Sequence, residues 1–138
     1  MINTETISLK TKGETDIVDI TDKVISALDK QKLQNGVMAI FVPGATGGIT
    51  TVEFESGALV DLKGAYEKLA PRDADYAHNK AWHDGNGFSH VRASMTGPGL
   101  SVPIVDGKLT LGTWQRIVFI DFDNRPRSRK LILQFLGE

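Results

Sequence analysis

His78, His83 and His90 fall within thirteen positions, with Asp84 beside them. Imidazoles grouped in this way can exchange a proton near neutral pH, or ligate a divalent metal together with a carboxylate. The spacings match no single-helix ligand motif such as H-E-x-x-H, so the three residues have to be brought together by the fold. A second group follows in Arg125, Arg127 and Arg129, which recur at period two around Pro126. In an extended chain their guanidinium groups share one side, and each can fork onto phosphate oxygens. The bland alternative is a solvated basic edge that discourages aggregation of a terminal strand. Arg92, two positions after His90, would join the same site only if that segment is extended or sharply turned.

Smaller signals surround these two groups. Gly44, Gly47 and Gly48 lie in a turn whose backbone N–H groups could face an anion, but the P-loop ending Gly-Lys-Ser/Thr is absent. Glu53 follows on a strand as a carboxylate base or magnesium ligand, or as an exposed strand residue. Asn86 and Gln115 offer amides to a heterocycle. Trp114, next to Gln115, reads as a packing anchor.

The composition limits the function classes. Its 138 residues are expected to form one domain, 1–138, with enough core to fold without staples. A net charge of −1 lacks the positive field of a general nucleic-acid binder, so no nucleic-acid partner is expected. With no cysteine there is neither a disulfide nor a thiolate site. The N-terminus lacks a basic region followed by an apolar run, and no stretch of 18 apolar residues occurs. The expectation is therefore a soluble cytoplasmic protein with no membrane partner.

The elements that must position these residues alternate in period. Thr4–Lys12 reads as a half-buried strand, and Thr21 as the cap of a helix carrying Val24, Ile25, Leu28 and Leu33. Val37–Val42 suits a central strand, the stretch from Pro43 to Gly48 a flexible loop, and Ile49–Glu55 a second strand. Ala58–Leu69 is helical by spacing, and Arg72–Asp84 reads as a loop holding His78 and His83. Phe88–Met95 is a short helix stopped at Gly97. Asp106-Gly107 predicts a type I′ hairpin between Val102–Val105 and Lys108–Trp114. Ile117–Phe122 and Lys130–Leu136 complete the strands. No βαβ alternation runs through this order, so the fold class is α+β.

The segments VPGATGGITTVEFESG and GNGFSHVRASMTGPGLSVPIVDGKLTLGTWQRIVFIDFDNRPRSR closely resemble the YjbQ-type family, the secondary thiamine-phosphate synthase-like proteins. The likeness covers essentially the whole chain. It implies a compact α+β fold with a mixed, largely antiparallel sheet. It also implies a homotrimer packed around a threefold axis, with sites near subunit boundaries. The implied activity is a weak thiamine-phosphate synthase transferase reaction on phosphorylated small molecules. In that reading His90, His78 and Glu53 are catalytic, and Arg92, Asn86, Gln115, Arg125, Arg127 and Arg129 bind substrate. His78 and His90 would hold any divalent metal, magnesium or zinc. His78, His90, Asn86, Glu53 and Arg92 fall on matching positions. Relatives carry His where this chain has Gly44, and a His-x-His pair where it reads Phe88-Ser89-His90. Those departures keep a second class open, a non-catalytic trimer that binds a small anion.

Overall fold

The computed structural model of the chain describes residues 1–138. Its elements run β1 (Ile2–Thr11), β2 (Asp16–Asp19), α1 (Thr21–Asp29), β3 (Gly36–Phe41), β4 (Gly47–Val52), α2 (Ser56–Leu69), α3 (Ala77–Trp82), α4 (Gly87–Thr96), β5 (Gly99–Val105), β6 (Lys108–Leu109), β7 (Arg116–Asp121) and β8 (Arg127–Gly137). Two sheets form, ordered β1-β8-β3-β5-β6 and β2-β7-β4. The class is α+β as expected. The mixed sheet is not found, because every strand pair is antiparallel.

Period-two burial explains the layering. On β7, Ile117 and Phe119 enter the larger core with Ile40, Leu133, Phe135 and the α1 residues Val24 and Leu28. Val118 and Ile120 point the other way, onto Tyr66 of α2 and Ala93 of α4. This strand is therefore buried on both faces, between the five-stranded sheet and a helical layer. The outer face of the five-stranded sheet stays open, leaving Ile2 66% and Phe41 51% exposed.

Several boundaries differ from the sequence reading, each for a local reason. Thr21 does not cap α1. Ile20 occupies that position without a side-chain bond, while the Thr21 hydroxyl donates to the Ile117 carbonyl and accepts from the Ile117 amide at 2.8 Å. Leu33 lies past the end of α1 yet is buried in the same core. The loop read between Arg72 and Asp84 contains the helix α3, ended by His83 in a left-handed conformation. The strand β4 begins at Gly47, inside the segment read as a flexible loop, and ends at Val52. Beyond it the Glu55 carboxylate accepts from the amides of Gly57 and Ala58 and caps α2. The Asp106-Gly107 turn is as read, with φ of 50° and 76°, although β6 is only two residues long. No helix is long and apolar enough to cross a membrane.

Candidate functional site

The short helix α4 delivers His90 and α3 delivers His78. Their rings stack with centroids 4.2 Å apart and planes tilted by 37°. Nδ1 of His78 lies 3.4 Å from Oδ1 of Asp84, within ion-pair reach but without hydrogen-bond geometry. Burial, and then the neighbouring His78, hold the His90 imidazole below its ordinary pKa of 6.5. Neutral His90 is thus available as a proton acceptor at pH 7. His83, exposed at the end of α3, is not part of the pair.

His90 lines a 220 Å³ cleft with Gly44, Ala45, Gly47, Ala93, Ser94 and Pro98. Glycines on β4 allow α4 to come this close. A Cβ on Gly48 would lie 2.7 Å from Cγ2 of Thr96, and one on Gly47 2.6 Å from the Phe119 ring. These glycines serve close packing, and both residues belong to the β4–β7 ladder. Gly44 faces the cleft with no side chain.

Behind the cleft lies a buried ion network that the sequence reading did not assemble. Arg129 forks onto Asp121, with Nε to Oδ2 at 2.8 Å and Nη2 to Oδ1 at 2.9 Å. Arg127 donates from Nε to Oδ2 of Asp123 at 2.9 Å. Asp121 and Asp123 are 0% and 1% exposed, so each arginine supplies the charge that a buried carboxylate requires. Thr11 donates to Asp121 at 2.6 Å, and Thr46 to Asp123 at 3.2 Å. Burial pushes the Asp123 pKa up, but hydrogen bonds from the Asn124 amide, Asn86 and Arg127 outweigh it and leave the group below its ordinary value. One signal was available in the sequence: Asp121 and Asp123 repeat at the same period of two as Arg127 and Arg129.

The candidate residues divide accordingly. Asn86 joins the network, with Nδ2 donating to Asp123 at 3.3 Å, and its buried Oδ1 has no hydrogen-bond partner. Arg125 precedes β8, is exposed and pairs with no carboxylate, so the three arginines do not share one side. Arg92 is 5% exposed and points away from His90, because positions two apart on a helix face different ways. Its guanidinium donates to the Ala70 carbonyl, the Thr15 hydroxyl and Glu67. Phe88 is also turned inward, 0% exposed and flanked by Arg72 and Arg92 at 5.2 and 5.0 Å from its ring centre. The departure at position 88 therefore removes nothing from the cleft.

Glu53 and Gln115 are elsewhere. β4 leaves the cleft at Gly47, and its five steps to Val52 cover about 16 Å, so the exposed Glu53 lies at the far end of the sheet. Gln115 closes its own loop there, donating to Thr51 and accepting from the Gly112 amide, both at 3.0 Å. Trp114 is 71% exposed and is not the packing anchor expected. No three His, Asp or Glu side chains converge as a metal-ligand group. Two imidazoles fall short of the three protein ligands that zinc sites use, and no step below runs through a metal.

A sequence profile described as UPF0047 protein, YjbQ-like, matches residues 5–138. A UPF0047 protein of Archaeoglobus fulgidus is 37% identical over 130 residues, covering 94% of this chain and 98% of its own length. The Bacillus subtilis UPF0047 protein YugU is 30% identical over 135 residues, covering 96% and 98%. The crystal structure of a YbjQ-like protein of unknown function from Sulfolobus solfataricus superposes with a TM-score of 0.95 at 30% identity, covering 100% and 99%. An uncharacterised family member from Clostridium acetobutylicum gives 0.87 at 35% identity, covering 96% and 99%.

Proposed function

The chain belongs to the UPF0047 YjbQ-like family, and from that premise we propose an enzyme that acts on a phosphorylated small molecule in the His90 cleft. The observation carrying this reading is the His78–His90 pair: two stacked imidazoles, the second lining the cleft and kept neutral by burial. Neutral His90 accepts a hydrogen bond from the substrate and orients it in the cleft. His78 stacks on His90 with Asp84 beside it and holds that imidazole in place. The buried Asp121–Arg129 and Asp123–Arg127 pairs act as a rigid base that fixes the loop from Gly44 to Thr46 and, through Asn86, the start of α4.

The finer form of the proposal is thiamine-phosphate synthesis. That coupling forms a C–N bond between the thiazole nitrogen and the methylene carbon of the pyrimidine, and breaks the C–O bond to diphosphate, which leaves with the electron pair. Arg125, which precedes β8 and has no carboxylate partner, suits a departing diphosphate. We further propose a homotrimer, with the apolar positions of the outer face of the five-stranded sheet as its contact and the Lys10–Lys130 corner of that face left open. Ile2, Phe41 and Val105 are exposed on that face, and an apolar sheet face of this kind is stabilised by a second copy.

A second reading, a non-catalytic trimer that binds a small anion, has one observation in its favour. Gly44 lines the cleft and brings it no side chain, so that His90 is the only titratable side chain lining it. A turnover assay with hydroxymethylpyrimidine diphosphate and thiazole phosphate, read as diphosphate release, separates the two. Release that disappears in His90→Asn supports the enzyme, and binding of either substrate without any release supports the binding protein.

A further inference from the structure

We propose a phosphoryl-binding groove on the open face of the five-stranded sheet, built by Lys10, Lys130, Ser8 and Ser128 against Pro43. The β1–β8 register pairs Ser8 with Lys130 and Lys10 with Ser128. All four side chains point away from the core, so the two lysines lie on one diagonal of the face, with backbone positions about 7–8 Å apart. They line a groove of 570 Å³ that contains no acidic residue.

None of the four side chains has an intramolecular hydrogen-bond partner, and neither lysine forms an ion pair. No acidic side chain in the groove offsets the two lysines, so their pairing on one diagonal adds nothing to the stability of the sheet. A lysine that blunts a sheet edge accounts for Lys10 on the edge strand β1. It extends to Lys130, where β8 has no β3 partner because their pairing ends at Ile132, but it does not require the two lysines to share one diagonal. A single tetrahedral phosphoryl group reaches both ammonium groups across such a diagonal, and the two hydroxyls supply further donors to its oxygens. The volume exceeds that of a bare phosphate and leaves room for the organic part of a phosphate or diphosphate ester.

The groove adjoins the proposed active site. Pro43 lines it and the next residue, Gly44, lines the His90 cleft. A substrate held here by its phosphoryl group would pass its other end over the loop from Pro43 to Ala45 toward His90. That assignment of the anion to the substrate rests on the enzymatic reading, whereas the anion site itself does not.

The test is calorimetric titration of the full chain with inorganic diphosphate, at low and at near-physiological salt. Lys10→Gln, Lys130→Gln and His90→Asn variants are compared, with their oligomer mass and Tm checked. The expected result is binding that weakens with salt, falls about tenfold or more in each lysine variant, and is unchanged in His90→Asn. Absence of diphosphate binding to the wild type, or wild-type affinity in either lysine variant, overturns the groove. Binding that depends on the lysines in a protein without turnover leaves the groove standing and removes the enzymatic reading.

Discussion

His78 and His90 come from different helices, twelve positions apart, and stack with their ring centres 4.2 Å apart. Both rings cannot carry a proton easily at that distance, since each charge raises the cost of the other. Burial adds to this at His90, and Asp84 stands beside His78. His90 is thereby held as a neutral imidazole near pH 7.

The first prediction is a pH dependence. The folded His90 pKa lies below its ordinary 6.5, so the unfolded chain binds the proton more readily. Stability from this group is complete above about 6.5 and is lost as pH falls toward the lower, folded value. Urea midpoints between pH 8 and 5 should therefore fall more for wild type than for His90→Asn. Parallel curves would mean that His90 titrates alike in both states.

Arg129 and Asp121 should behave as a buried pair whose partners depend on each other. Asp121→Asn leaves a guanidinium that is 11% exposed without its counter-charge, and is expected to cost about 3–5 kcal/mol in chemical denaturation. Combining it with Arg129→Met should cost less than the sum of the two single changes. Strict additivity would show that the fork contributes no coupling.

Thr21 distinguishes a helix cap from a bridge between elements. Aspartate is as good a cap as threonine, so Thr21→Asp would be harmless in a capping role. In the bridge observed, the carboxylate is buried and cannot donate to the Ile117 carbonyl. The expected loss is about 1–3 kcal/mol, read from the urea midpoint, whereas Thr21→Ser retains most of the stability.

Gly48 tests how α4 is seated. An added methyl meets Thr96 at 2.7 Å, so Gly48→Ala should push the helix outward at a cost of about 1–3 kcal/mol. If the His90 cleft depends on that seating, turnover falls as well. A variant with wild-type Tm would show that Thr96 yields without moving the helix.

The proposed trimer predicts a mass by light scattering of three times the 15.1 kDa chain. Phe41→Glu places a charge on the open sheet face, where Phe41 is 51% exposed, and should yield monomers. A wild-type monomer at micromolar concentration would reject the assembly.

The sequence by itself determined what short-range periodicity can encode. The alternation of β1, the apolar run of β3, the spacing in α2 and the Asp106-Gly107 turn are local patterns, and each appears close to where it was read. The α+β class followed from their order. The helix α3 escaped because six residues carry too little periodicity to distinguish a helix from a loop. The sharing of residues between two sheets escaped because register is a long-range property. The site divided in the same way. The residue types of His78, His90 and the arginines marked candidate positions, but types do not fix directions. Only the tertiary structure turned Arg92 and Phe88 into the interior and matched Arg127 and Arg129 to Asp123 and Asp121. It also carried Glu53 and Gln115 to the opposite end of a strand. Those outcomes were decided by the need to neutralise buried carboxylates and by the rotation of each helix against its sheet, and both depend on partners distant in the chain.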